Sequence, residues 1–125
     1  DRLAEELRVR MHRMGMFELC SWCGSRPQGG CCSAEMAGEA DALLLLGNLL
    51  LGCEAVSQRE ADSECCFLGP QGCCLRLKPI FCLNYNCPRI LSGNSREDLA
   101  ALARATARLH GEQLALEGLL LDRLP

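Results

Sequence analysis

The chain has 125 residues, of which 49% are hydrophobic and 4% aromatic, and its formal net charge is −3. A single domain of this length buries roughly two thirds of its unfolded surface, so it can fold on a core of its own. Acidic and basic residues are interspersed without a basic stripe, which excludes nucleic acid as the expected partner. The longest apolar run, residues 42–53, is shorter than the about 20 residues that a membrane-spanning helix needs.

The N-terminal segment has the hydrophobic period of a helix. Leu3, Leu7 and Met11 recur at steps of four residues, which predicts a helix near residues 2–18. Residues 20–32 then form a first cysteine block, whose glycines and proline disfavour helix. We therefore expect an irregular loop there.

A second helix is predicted near residues 34–57, with Ser33 as its N-cap. It contains Cys53, which is alone in that helix and is interpreted as a small buried hydrophobe and not as a metal ligand. A second cysteine block, residues 65–87, carries two glycine or proline turn signals. We expect this block to be irregular, with one short piece of strand around residues 75–77.

The final helix is predicted near residues 95–123, with Ser95 as N-cap of a capping-box-like arrangement. Leucines at heptad spacing over residues 99–120 form a seam, which the polar residues Thr106 and Gln113 interrupt. Further leucines near its end widen the apolar face. A helix of this kind packs on more than one side, against the second helix of this chain or against a partner subunit.

These patterns predict one all-α domain over residues 1–125. It is a small helical scaffold of three principal helices, in which two irregular cysteine-rich loops converge on a metal site. The terminal helices, residues 1–19 and 95–124, flank the site region, residues 20–87.

Cysteine is the most informative residue type, because eleven occur and ten of them lie in the two blocks. Adjacent cysteines cannot pair with each other without strain, because their Cα atoms lie about 3.8 Å apart and a disulfide needs roughly 4.4 Å or more. The total is odd, and the start of the chain lacks a signal-peptide pattern. We interpret the cysteines as reduced metal ligands and expect a reducing, cytoplasmic compartment.

Each block offers several thiolates to a metal, and zinc and iron both accept thiolate ligands. The candidates in the first block are Cys20, Cys23, Cys31 and Cys32. The candidates in the second block are Cys66, Cys73, Cys74, Cys82 and Cys87. One member of each adjacent pair is expected to face the metal, since neighbouring side chains of an extended segment point to opposite sides. His12 and His110 are interpreted as surface or packing residues.

The order of these cysteines resembles that of a known family. The elements that carry the resemblance are Cys20-x-x-Cys23, Cys31-Cys32, Cys66-x-Leu68, Gly72-Cys73 and Lys78-Pro79-x-x-Cys82-x-x-Tyr85-x-Cys87. Over about residues 20–87 the pattern is similar to that of the zinc- or iron-chelating cysteine-cluster proteins of the CxxCxxCC type. The resemblance implies a metal centre built by both blocks, and in relatives fused to a flagellin lysine methylase the cysteines are associated with an iron–sulfur cluster.

The thiols exceed the four that close a structural zinc site, so a [4Fe–4S] cluster is the preferred cofactor and zinc the alternative. Two zinc sites, or a cluster together with a zinc, would use the surplus equally well. Most of the aromatic residues lie within three residues of a cysteine, either as an apolar shell around the site or as ordinary packing. These residues are Trp22, Phe67, Phe81 and Tyr85.

The preferred function is a cluster carrier or electron-transfer small subunit of a larger protein complex, held by its leucine-rich helices or self-associated through them. The alternatives are a zinc-stabilised interaction module and a metal-handling accessory factor. No Ser/His/Asp or Cys/His constellation falls within one local motif, so the sequence gives no support for hydrolytic or nucleophilic catalysis.

Overall fold

The computed structural model describes residues 1–25, 34–54, 65–69, 72–84 and 86–125, and for residues 21, 23–25, 34 and 35 it describes the backbone alone. In chain order the elements are α1 (Arg2–Arg13), α2 (Met16–Ser25), α3 (Ala34–Ala37), α4 (Ala42–Leu50), β1 (Leu68–Gly69), β2 (Gly72–Cys73), α5 (Ile80–Asn84), α6 (Pro88–Gly93) and α7 (Arg96–Leu121). The described residues are mostly helical, as predicted. None of their helices is long and apolar enough to cross a membrane.

The predicted first helix is two helices, because the chain turns at Gly15. This residue has a φ of 71°, a left-handed conformation that glycine adopts without steric cost. The turn redirects the chain so that Met16 and Phe17 are buried. Helix α2 then continues through Cys20 and Cys23, so the prediction of an irregular loop from residue 20 is wrong as far as Ser25.

The predicted second helix is also divided, into α3 and α4. Asp41 caps α4, since its Oδ1 accepts a hydrogen bond from the Leu44 N–H at 2.8 Å. The helix ends at Leu50, because Gly52 has a φ of 77° and reverses the chain. Cys53 therefore follows the helix, contrary to the prediction, and is buried as predicted. The proposed cap Ser33 and residues 55–57 lie outside the described residues.

The predicted final helix is confirmed as α7. Ser95 caps it by accepting a hydrogen bond from the Asp98 N–H at 3.1 Å. Its buried stripe includes Leu102 and Leu109, and it packs against α1, α4 and α5. The expected packing of α7 against the second predicted helix is thus observed with α4. Helix α1, which the sequence did not suggest as a partner of α7, covers a larger part of it.

The second cysteine block contains short regular elements in place of the expected irregular loop. Strands β1 and β2 form an antiparallel hairpin in which Leu68 lies opposite Cys73. Residues 75–77, predicted as strand, are not strand in the structure. They follow the hairpin as a connection that bends at Arg76 and Leu77, and the buried amide of Asn48 binds the backbone of Leu77.

Candidate metal centre

Four cysteines from four different parts of the fold line one cavity of about 70 Å³. They are Cys20 of α2, Cys65 of the turn before β1, Cys73 of β2 and Cys82 of α5. Apart from Lys78 and the cysteines, the described residues that line the cavity are apolar: Met11, Met16, Phe17, Met36, Leu68, Gly72, Phe81 and Ile90. An apolar wall excludes water from the sulfur atoms and lowers the local dielectric, as is typical around metal–thiolate centres.

The hairpin positions Cys73 through its register. Residues directly opposite in an antiparallel pair project from the same face, and Leu68 and Cys73, which are such a pair, both line the cavity. Gly72 has a φ of 92°. A Cβ at this position would lie 2.4 Å from Cδ1 of Phe17, so only glycine lets the hairpin pack this closely on α2 and bring Cys73 towards Cys20.

Cys65 begins a turn that leads into β1. Its carbonyl accepts a hydrogen bond from the Leu68 N–H at 3.0 Å, which closes a four-residue turn. Burial raises the pKa of the Cys65 thiol, and the nearby thiols of Cys73 and Cys66 act in the same direction. Backbone N–H groups of Phe67 and Leu68 donate to this thiol and lower its pKa. The thiol of Cys65 lies close to other thiols, and burial outweighs the backbone hydrogen bonds, so the raised pKa favours its neutral form.

Cys74 occupies a different environment from Cys73. Its N–H donates to the Phe67 carbonyl at 2.8 Å, and its carbonyl accepts a hydrogen bond from the Cys53 thiol at 3.1 Å. Burial raises the pKa of the Cys74 thiol to about 11, with smaller contributions from the thiols of Cys73 and Cys53, and Lys78 opposes the shift. Cys74 lines a neighbouring cleft of about 420 Å³ and not the thiol cavity.

Lys78 is the only charged side chain among the described residues that line the thiol cavity. It is 7% exposed, and its Nζ donates to the Leu75 carbonyl. The amide of Gln113 holds its backbone, donating to the Lys78 carbonyl at 2.9 Å and accepting from the Lys78 N–H at 3.0 Å. A buried cation favours the ionised form of a neighbouring thiol, and Lys78 acts in this way on Cys74, whose pKa it lowers.

The predicted ligands divide into several groups. Cys20, Cys73 and Cys82 are brought together at the cavity, whereas Cys66, Cys74 and Cys87 are partly buried but do not line it. Cys23 lies one helical turn after Cys20 on α2. Cys31 and Cys32 lie outside the described residues.

The sequence pattern did not indicate Cys65 as a ligand. Of the adjacent pair, it selected Cys66, since Cys66-x-Leu68 matched the family pattern. Adjacency gives no indication of which member faces inward, because that depends on the turn that follows. No signal in the sequence would have identified Cys65 over Cys66.

The aromatic shell differs from the prediction in its members. Phe81 lines the cavity, and so does Phe17, which the sequence analysis placed outside the shell. Trp22 is 47% exposed, and the guanidinium of Arg89 lies 4.3 Å from its ring centroid. This cation–π contact joins α2 to α6, the helix that follows the second cysteine block. Tyr85 lies outside the described residues.

The chemistry of the donor set fits a thiolate-ligated metal. Four sulfur donors suit both tetrahedral zinc and a [4Fe–4S] cluster. The eight cysteines with described side chains are thiols, with no disulfide among them. In the part of the chain that the structure describes, no three His, Cys, Asp or Glu side chains are grouped tightly enough to hold a metal ion. The four cavity cysteines thus surround a common space without converging on one point.

Comparison of the chain with protein-family models, with curated proteins and with solved structures gave no match. The resemblance to the cysteine-cluster family therefore stays a prediction that rests on the cysteine pattern alone.

Proposed function

We propose that this protein binds a thiolate-ligated metal centre, with a [4Fe–4S] cluster as the preferred group. The observation that supports the proposal is the cavity lined by Cys20, Cys65, Cys73 and Cys82. These residues come from separate segments, and apolar side chains surround them. A structural role for isolated buried cysteines does not require four of them around one space.

The spread of the four cysteines around the cavity favours a cluster over a single zinc ion. Zinc binds thiolate sulfur at about 2.3 Å, so four sulfurs around one ion are nearly in contact with each other. Among the described residues no three of these thiols are grouped tightly enough to hold one metal ion. A cluster of several atoms uses this space, and when bound it supplies one-electron redox chemistry.

The chain's own residues have distinct parts in this proposal. The four cysteines donate sulfur, and Phe17 and Phe81 exclude water from the sulfurs. Lys78 offsets part of the negative charge that four thiolates bring into an apolar site. The amide of Gln113 holds Lys78 in place through its backbone.

We also propose that the protein is a small subunit of a larger complex in the cytoplasm, where thiols stay reduced. Several leucines near the C-terminal end of α7 support a protein partner or self-association, because they are more than half exposed. They are Leu114, Leu119 and Leu121, at 54%, 64% and 60%. Leu114 and Leu121 are seven residues apart and share one face of the helix, and exposed apolar side chains that share a face are typical of interaction surfaces.

Anaerobic purification of the full chain tests the metal proposal. Iron, acid-labile sulfide and zinc are measured, and the visible absorption spectrum is recorded before and after dithionite. We expect iron and sulfide in equal amounts and an absorption that bleaches on reduction. Cys53→Ser, which changes a thiol outside the cavity, should keep the same metal content. Stoichiometric zinc in a colourless protein would reject the cluster, and absence of any metal would reject the function.

A further inference from the structure

We infer that Cys65, and not its neighbour Cys66, is the ligand that the turn before β1 contributes, so that Cys20, Cys65, Cys73 and Cys82 form one ligand set. This inference rests on the proposed function and names the residues of its site. It departs from the cysteine pattern of the sequence, which selects Cys66.

The geometry of the turn favours Cys65 over Cys66. The hydrogen bond from the Leu68 N–H to the Cys65 carbonyl makes these two residues the ends of a four-residue turn. The ends of such a turn lie within about 7 Å of each other, and the two central residues form its tip. Leu68 lines the cavity, and Cys65 lies beside it and also lines it. Cys66 is a central residue of the turn and does not contribute to the cavity wall.

The packing of the turn also favours Cys65. Phe67 and Leu68 are 8% and 4% exposed, and the Phe67 carbonyl accepts a hydrogen bond from the Cys74 N–H at 2.8 Å. The turn is therefore held against the hairpin, and Cys65 at its start is held beside the part of the cavity wall that Leu68 forms.

The position of Cys65 relative to the other ligands agrees with this assignment. Cys65 and Cys73 line the same cavity, and Cys73 is held in the cavity wall by its register opposite Leu68. The hairpin therefore presents two sulfurs, one before β1 and one in β2. Helices α2 and α5 present the other two from outside the hairpin.

The test compares Cys65→Ser with Cys66→Ser in the full chain. Serine is nearly isosteric with cysteine, and the two substitutions differ by one position, so each controls for the other. Both variants and the unchanged protein are purified anaerobically and analysed for bound iron, sulfide and zinc. Helical content is measured by circular dichroism. Alkylation with iodoacetamide and mass spectrometry, before and after metal removal, reports which thiols the metal protects.

We expect Cys65→Ser to lose at least tenfold in metal content and Cys66→Ser to keep the content of the unchanged protein. In the unchanged protein, metal should protect Cys20, Cys65, Cys73 and Cys82 from alkylation. Should Cys66→Ser lose the metal while Cys65→Ser retains it, or should both lose it, the assignment is overturned. If Cys65→Ser fails to fold, the alkylation pattern of the unchanged protein decides. An unchanged protein without metal rejects the proposed function itself, which is a different result from rejecting Cys65.

Discussion

At the scale of single residues, the two polar interruptions of the α7 seam have structural roles. The hydroxyl of Thr106 donates to the Leu102 carbonyl at 2.7 Å, within the helix. Gln113 binds both backbone groups of Lys78. Gln113 therefore fixes the segment that leads to Cys82. The heptad pattern alone would treat Gln113 as a polar defect in an apolar surface.

Asn48 has the same role from α4, and it is fully buried. Its Nδ2 donates to the Leu44 carbonyl at 3.0 Å and to the Leu77 carbonyl at 2.9 Å. Its Oδ1 accepts from the N–H groups of Arg76 and Leu77 at 2.8 and 3.0 Å. All four hydrogen-bonding positions of the amide are thus used.

We expect Asn48→Ala to lower the free energy of unfolding by about 3 kcal/mol or more. The substitution leaves several backbone groups of residues 76–77 buried without partners, and each such group costs about 1–3 kcal/mol. Urea denaturation followed by circular dichroism measures the change. Asn94→Ala is the control, since Asn94 makes one bond, to the Ile90 carbonyl at 3.0 Å, and is only partly buried. Equal losses for the two variants would contradict the role of Asn48.

At the scale of elements, glycine has opposite roles in the hairpin and in α7. Gly72 has a φ of 92° and lies against the ring of Phe17, whereas Gly111 lies within α7 with nothing within 4 Å of where its Cβ would be. Only the first position uses the absence of a side chain. Gly111 has the weak helix propensity of glycine, and no close packing contact requires a glycine at that position.

We expect Gly72→Ala to destabilise the protein by at least about 2 kcal/mol, since the left-handed conformation alone costs roughly 1–2 kcal/mol for a residue with a Cβ. The contact with Phe17 adds to this cost. Gly111→Ala is the matched substitution and should stabilise by about 0.5–1 kcal/mol. Thermal and urea denaturation of both variants measure these changes. A neutral Gly72→Ala would mean that the hairpin does not pack on α2 as described.

At the scale of the whole molecule, the four cavity cysteines connect α2, the hairpin and α5, while α1 and α4 each pack on α7 without them. A metal bound by these cysteines therefore ties the site elements to each other. A group that binds the folded state alone stabilises it, by about 2.7 kcal/mol at a concentration 100 times its dissociation constant.

Removal of the metal is therefore expected to lower the unfolding temperature while leaving most of the helical content. The comparison uses anaerobically loaded protein and apoprotein prepared with a chelator, with circular dichroism as the readout. Cys82→Ser serves as control, since its unfolding temperature should not respond to the chelator. Identical unfolding temperatures for loaded and apo protein would contradict a coupling between metal and fold.

The sequence by itself determined the parts of the fold that depend on local pattern. The apolar period and Ser95 were sufficient to place α7, because capping and helical periodicity involve residues a few positions apart. The same reasoning failed at Gly15 and Gly52. A glycine tolerates either a helical or a left-handed backbone. Contacts with residues that are far away in the sequence select between the two conformations.

Only the tertiary structure decided which cysteines meet. Cys20 and Cys82 are far apart in sequence, and their shared cavity depends on how α2 and α5 pack around the hairpin. The choice between Cys65 and Cys66 depends on the turn over residues 65–68, because the two residues are of the same type and adjacent in the sequence. Local pattern carries information about neighbours on a helix or strand, whereas a site formed by distant segments exists only once the core has set their relative positions.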